Sequence, residues 1–446
     1  MPKRNPDSLN ALGQKLLKAI QSRKARIGIL GLGYVGLPLA MAFAKKGFHV
    51  SGIDLDRKRI AKLREGNTYI EDVPSAEIRR VLANHRFEAT EDFKVLVQVD
   101  AVIICVPTPL NRAHDPDLSL VSRATESVQQ HLHAGQLVIL ESTTYPGTTE
   151  EIVLPALERS GLRVGKDFFL CFSPERIDPG NKKFPLHKIP KVVGGITPSS
   201  TQLGAALYQN VTEKIVPVSS ARTAEMAKLL ENTFRIVNIG LVNELAQAAD
   251  SLGVNIWEAV EAASTKPFGY MPFYPGPGIG GHCIGVDPIY LSWKARLQGV
   301  DLHFIDLARR INAGMPRFVV ERAVYTLNAR AHKAASVSKI LILGVSYKRD
   351  VADTRESPAF EIIHELQNLG AQVSYHDPFV PKLDNEKTHL KSESLTPKRL
   401  SSKDLVIVAT NHSSVNYAFV AKNARLIFDT RNVRWPALYA SKVVPL

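Results

Sequence analysis

Four residues of this chain have types and spacing that could do chemistry: a thiol with a carboxylate, and an ammonium with an amide. Cys283 and Asp287 stand four apart in Tyr274-Pro-Gly-Pro-Gly-Ile-Gly-Gly-His-Cys-Ile-Gly-Val-Asp-Pro288, and Lys228 and Asn232 stand four apart in residues 221–252. The first stretch carries five glycines, and glycine lets a backbone reach positive φ and approach a ligand closely. It reads as a loop between two helix-like segments, where backbone amides could hold an anion. The second stretch has apolar residues at helical spacing, so Glu225, Lys228 and Asn232 share one face. Lys228 and Asn232 would then be proton or oxyanion partners. The plainer alternatives are a long turn with an incidental cysteine, and a Glu225–Lys228 surface pair worth a few tenths of a kcal/mol.

The elements that must position these residues are too many for one core. At 446 residues, and ~100–200 per domain, two to four domains are expected. Three cysteines, Cys105, Cys171 and Cys283, are odd in number and far apart, so no disulfide framework is implied and a reducing, cytoplasmic compartment is favoured. The first 21 residues are polar and basic, with a short amphipathic run at 9–20. They lack a signal-peptide core, and no apolar stretch is long enough to span a membrane. The formal charge of +13 is spread along the chain without a basic block or a nucleic-acid signature. A positive field of that kind suits polyanionic small molecules such as dinucleotides and nucleotide-sugars.

Residues 26–30 read as a strand, Gly31-Leu-Gly-Tyr-Val-Gly36 follows at once, and 37–46 is helical. A second strand at 48–53 closes on Asp54. This is the order of a dinucleotide-binding βαβ unit. Gly31 makes the turn, Gly33 admits the pyrophosphate and Gly36 allows close helix–strand packing, with Asp54 on the ribose hydroxyls. The acid favours NAD over NADP, although Arg57 and Arg59 lie close by. Strands at 100–106, 136–140 and 168–172 end in Pro107-Thr108-Pro109, Glu141-Ser-Thr143 and Ser173-Pro-Glu175-Arg176, three polar loops at the ligand-binding edge of a parallel sheet.

Helices are expected at 221–252, 256–263 and 302–315. Beyond them the βαβ pattern returns, with strands at 339–343, 372–375, 405–409 and 426–428 and a helix at 358–369. Only Gly344 of the glycine pattern is kept, so this half should take a different nucleotide. Lys348, Arg355 and Arg431 are its cationic candidates. The expected fold class is therefore α/β, with two Rossmann-like, doubly wound parallel-sheet domains joined by a central helical domain with one long helix. The expected boundaries are 1–24 for a basic leader, 25–215, 216–320 and 321–446.

Taken together the motifs resemble the UDP-sugar 6-dehydrogenases, the UDP-glucose/GDP-mannose dehydrogenase family. They are Gly31–Gly36, Val106-Pro-Thr-Pro109, Glu141-Ser-Thr143, Ser173-Pro-Glu175, Glu225-x-x-Lys228-x-x-x-Asn232, Gly280-Gly-His-Cys283-x-x-x-Asp287, and Tyr347-Lys348 with Asp353-Thr-Arg-Glu-Ser357. Within the family the chain looks most like the N-acetylhexosamine branch, particularly the UDP-N-acetylglucosamine 6-dehydrogenases. Ser173-Pro-Glu-Arg-Ile-Asp-Pro-Gly-Asn181, Ile189-Pro-Lys-Val-Val-Gly-Gly195 and Val286 before Asp287 point that way. Gly285 departs from it, since the branch usually carries proline there.

The resemblance implies NAD as cofactor, a UDP-sugar substrate and no metal; the outer face of the long helix suits the interface of a homodimer or higher homo-oligomer. The resemblance also implies a four-electron oxidation at C6 for surface-polysaccharide precursors, with Cys283 passing through a thiohemiacetal and a thioester. UDP-N-acetylmannosamine, UDP-N-acetylgalactosamine and UDP-glucose are the alternative substrates. It assigns Lys228 and Asn232 to the alkoxide and oxyanion, Asp287 to water or protons near Cys283, and Glu175 and Thr143 to hydrolysis. Gly31, Gly33, Tyr34, Val35, Gly36, Asp54, Arg59, Pro107, Thr108, Thr143 and Arg355 would hold the cofactor. Glu175, Arg176, Lys228, Asn232, Tyr274, Gly278, Gly280, Lys348 and Arg431 would hold the UDP-sugar.

Overall fold

A computed structural model describes residues 9–70, 72–111, 113–177, 181, 184–385 and 388–446. The chain divides into two compact units. The first runs to Glu231 and includes Ile289–Gly299; the second comprises Asn232–Pro288 and Val300–Leu446.

The first unit is built on eight strands: β1 (Arg26–Leu30), β2 (His49–Ile53), β3 (Phe87–Thr90), β4 (Ala101–Ile104), β5 (Leu137–Leu140), β6 (Phe169–Phe172), β7 (Lys191–Gly195) and β8 (Ile215–Val218). Their order is β3-β2-β1-β4-β5-β6-β7-β8. Runs such as Ala101-Val-Ile-Ile104 and Leu137-Val-Ile-Leu140 are buried throughout, as strands covered on both faces must be. Two apolar cores, one on each face of the sheet, result. Strand order reverses between β1 and β4, which makes the crevice at their carboxyl ends the natural ligand site. Pairing is parallel except at β6 and β7, which run antiparallel. The helix Ala11–Gln21, capped by Asn10, buries Leu16 and Ile20 in the same core, so this part of the leader is structural.

The second unit has β9 (Lys339–Leu343), β10 (Gln372–His376), β11 (Lys382–Asn385), β12 (Thr388–Lys391), β13 (Leu405–Val408), β14 (Ile427–Asp429) and β15 (Val443–Pro445). Five form a parallel sheet, β10-β9-β13-β14-β15, while β11 and β12 make a separate antiparallel pair. The helix expected at 302–315 runs on as His303–Thr326, through Pro316. Met315, Val319, Val320, Ala323 and Leu327 continue its buried stripe, and that burial outweighs the hydrogen bond lost at proline. The long helix is Ala221–Leu252, as the spacing predicts.

Candidate functional site

In the first unit the turn after β1 holds Gly31 at φ +90, where an added Cβ would lie 2.6 Å from the Cys105 carbonyl oxygen. A Cβ on Gly36 would lie 1.8 Å from the Gly31 oxygen, whereas Gly33 has open space on that side. The helix Gly36–Lys45 begins there. Asp54, at the end of β2, accepts from the Leu32 amide at 2.9 Å and from Arg59 at 3.4 Å. Arg59 lies over the Tyr69 ring, and the Tyr69 hydroxyl donates to the Leu32 oxygen. Leu32 is thus pinned at both backbone groups, and Tyr34 beside it is exposed. A dinucleotide fits this arrangement: a glycine left open for close approach, a helix N-terminus behind it and a carboxylate at the next strand end.

Further along the same edge, Thr108 is buried, Pro107 exposed and Thr143 half-buried. The Ser142 hydroxyl donates to the Val106 oxygen, and the Tyr290 hydroxyl to the Pro109 oxygen, so the loops after β4 and β5 are tied down. Behind them lies an ion cluster that sequence reasoning missed. Lys191, the first residue of β7, bonds Glu141 at the end of β5 and stands 3.5 Å from Glu175. Tyr208 also donates to Glu141. Burial pushes the Glu141 carboxyl up to about 7, against the pull of Lys191. For Glu175 burial acts upward too, but Lys191, a hydrogen bond from Glu141 and the Ile177 amide outweigh it and hold the carboxyl below its usual range. Both residues sit in motifs that carry the family resemblance, yet nothing in their spacing says that they meet.

Glu225 does not pair with Lys228. It is fully buried and accepts from the Gly147 amide at 2.5 Å, the Thr149 amide at 2.9 Å and the Thr149 hydroxyl at 2.7 Å. The plainer alternative of a surface pair with Lys228 is therefore not met: helical spacing aligns the two residues, but the turn at 147–149 takes the carboxylate. Lys228 is buried. Arg176 is committed to Glu231, at 2.6 Å, and to the Pro190 oxygen.

In the second unit the cysteine stretch is not a loop throughout. Its second half is helical, His282–Arg296, with Cys283 exposed in the first turn and Pro288 inside the helix. This too is a correction, and its cause is visible. Gly281, at φ +82, breaks the chain before the helix, and its amide donates to the Arg355 oxygen. An added Cβ on Gly281 would lie 2.8 Å from the Tyr347 ring, so the glycines here serve close packing against the protein itself. Asp287, one turn on from Cys283, is buried and accepts from Asn232 Nδ2 at 2.5 Å, so the structure brings these two together. Tyr274 stacks on Trp257, ring centroids 5.9 Å apart. Arg431 donates to the Ala409 oxygen at 2.7 Å and lies close to Gly276. Burial lowers the Arg431 guanidinium to about 10, still cationic at neutral pH. Gly278 takes φ +129; Gly280 packs on Tyr347 and Glu356; Lys348 is half-buried. Arg355 is exposed and forks onto Asp353.

The two sheets repeat one device. Gly344 follows β9 at φ +80, and Asp377 after β10 accepts from the Val345 amide at 2.7 Å, as Asp54 does from Leu32. Here, however, Ser346 stands where Gly33 stands in the first unit, and buried His412 bonds the same Asp377 oxygen at 3.0 Å. The position that would receive a ribose is occupied by protein.

The two βαβ units, one with an intact glycine turn and one without, define a dehydrogenase that pairs a dinucleotide with a second nucleotide-bearing ligand. The chain belongs to the UDP-glucose/GDP-mannose dehydrogenase family. Its NAD-binding domain model matches residues 25–212, its central domain 222–314 and its UDP-binding domain 341–436. The protein is an oxidoreductase that uses NAD and acts on a UDP-sugar. It is 38% identical to a UDP-N-acetyl-D-glucosamine 6-dehydrogenase of Pseudomonas aeruginosa, over 93% of this chain and 96% of that one. It is also 38% identical to a UDP-N-acetyl-D-mannosamine dehydrogenase of Pyrococcus horikoshii, over 92% and 96%. A solved structure of a UDP-N-acetyl-D-mannosamine dehydrogenase from that organism superposes with a TM-score of 0.85, covering 94% of this chain and 98% of that chain at 35% identity. Among the described residues no helix is long and apolar enough to cross a membrane.

Proposed function

We propose that this protein oxidises the C6 hydroxyl of UDP-N-acetylglucosamine to the carboxylate, with Cys283 as the covalent nucleophile. The observation that carries the reading is Cys283, exposed in the first turn of its helix, with Asp287 one turn on and fixed by Asn232. Gly31, Gly33, Tyr34, Val35, Gly36, Asp54, Arg59, Pro107, Thr108, Thr143 and Arg355 hold NAD. NAD held there would supply a hydride acceptor for two oxidations, so one uronate would accompany two NADH. Lys228 and Asn232 steady the alkoxide and then the oxyanion. Cys283 adds as a thiolate to the C6 aldehyde, and the thiohemiacetal becomes a thioester on the same sulfur. Glu175 takes a proton from the water that releases the acid, and Thr143 orients that water; Asp287 organises protons near the sulfur. Tyr274, Gly278, Gly280, Lys348, Arg431 and Arg176 hold the UDP-sugar, with Arg431 and Lys348 supplying positive charge for the diphosphate.

The glucosamine sugar is supported by the N-acetylhexosamine motifs and by the Pseudomonas relative. The Pyrococcus relative supports the C2 epimer, UDP-N-acetylmannosamine, as the second reading. Comparing kcat/KM for the glucosamine, mannosamine and galactosamine derivatives and UDP-glucose decides between them. A preference for any other sugar overturns the assignment. Met226, Leu230, Phe234, Leu241 and Leu245 are exposed at helical spacing on the long helix, which supports a homodimer through that face. A cysteine that must stay reduced to act as a nucleophile fits the reducing cytoplasm, and the acid fits use in a surface polysaccharide such as capsule or O-antigen.

A further inference from the structure

Glu175 has one oxygen occupied by its own backbone. Oε1 accepts from the Arg176 amide at 2.6 Å and from the Ile177 amide, which leaves Oε2 facing Lys191 at 3.5 Å. Lys191 is itself clamped: it bonds Glu141, lies over the Tyr208 ring at 4.9 Å and is only 8% exposed. Glu141 and Tyr208 are buried and bonded to each other. A small pocket of about 20 Å³, room for one water-sized molecule, is lined by Glu175, Lys191 and Tyr208 among others.

We propose that Lys191, held by Glu141 and Tyr208, is a positioning residue that keeps Glu175 ionised and fixed as the base of the hydrolytic step. The proposal rests on the role given to Glu175 above. Two carboxyls and one ammonium in apolar surroundings cannot all be charged without a net buried charge. Burial raises Glu141 to about 7 while Lys191 and a hydrogen bond from Glu141 draw Glu175 down, so of the two carboxyls Glu141 takes up a proton first and Glu175 keeps the charge. Paired groups driven apart in this way divide acid and base roles. In the step served, water forms a C–O bond to the thioester carbon and gives one proton to Glu175. The C–S bond breaks, Cys283 leaves as a thiolate, and the new carboxylic acid loses its proton to solvent. No electrons are exchanged.

The test mixes the enzyme with UDP-N-acetylglucosamine and NAD, quenches rapidly, and measures the acyl group on Cys283 by intact mass across pH. Glu175→Gln should accumulate the acyl-enzyme. Lys191→Met should accumulate it as well, with hydrolysis slowed at least about tenfold and its acid limb moved to higher pH, since a base that loses its cation gains protons more easily. Lys191→Arg should restore the limb. Should Lys191→Met fail to fold, Glu141→Gln carries the test by losing any inflection near pH 7. Accumulation in Glu175→Gln together with wild-type hydrolysis and pH profile in Lys191→Met or Glu141→Gln overturns the Lys191 proposal alone. Wild-type hydrolysis in Glu175→Gln removes the base itself and the proposal with it.

Discussion

Replacing Glu225 with alanine separates a buried clasp from a surface ion pair. The carboxylate is fully buried and accepts three hydrogen bonds, from the amides of Gly147 and Thr149 and from the Thr149 hydroxyl. The hydroxyl can turn to another acceptor, but the two amides are left without one. At ~1–3 kcal/mol for each unpaired buried donor, Glu225→Ala should cost about 4 kcal/mol. At ~2 °C per kcal/mol for a unit of this size, Tm should fall by about 8 °C. Calorimetry is the assay, because a chain of two compact units can show separate transitions. Glu225→Gln keeps one acceptor oxygen and should lose less. Its deficit should also shrink with pH. Burial raises the folded Glu225 pKa to about 7, so the stability that its proton contributes is complete below ~4.5 and is lost as pH rises through about 7. A fall in Tm of only a degree, the behaviour of an exposed pair with Lys228, would refute the clasp.

Other consequences follow from single contacts. Gly36→Ala places a Cβ against the Gly31 oxygen, so NAD affinity by calorimetric titration should be lost while UDP still binds. Unchanged NAD affinity would contradict the assigned turn. Gly285 lies in the cysteine helix with nothing near its missing Cβ, so Gly285→Ala should stabilise by up to ~1 kcal/mol through helix propensity. A lower Tm would show a constraint there that the backbone does not reveal. Asn232→Ala removes a 2.5 Å bond to the buried Asp287 carboxylate, worth ~1.5–3 kcal/mol, and should lower kcat roughly 10- to 100-fold with a smaller effect on KM. An effect confined to KM would make Asn232 a binding residue only.

Periodicity and turn chemistry exposed the strand–turn–helix–strand unit ending at Asp54, because each step there is local. The same is true of the 32-residue helix Ala221–Leu252. What was not legible depends on partners far along the chain. Glu225 looked like one half of an i,i+3 pair, but its acceptors' donors lie 76–78 residues away. Lys191 and Glu141 are 50 apart and meet only because β7 folds beside β6 in the antiparallel sense. The cysteine stretch read as loop because glycine and Pro288 lower helix propensity. Gly281 in fact ends the loop, and the helix begins one residue later. Asp377 offers the reverse lesson: its position after β10 repeats that of Asp54, and only His412, 35 residues further on, shows that the ribose place is filled.

The central claim is a four-electron oxidation through Cys283. It is tested most directly by counting NADH against uronate with UDP-N-acetylglucosamine as substrate, in the native enzyme and in Cys283→Ser. The account predicts two NADH per acid in the native enzyme and loss of acid formation in the variant. One NADH per product, or acid formed by Cys283→Ser at the native rate, would contradict it.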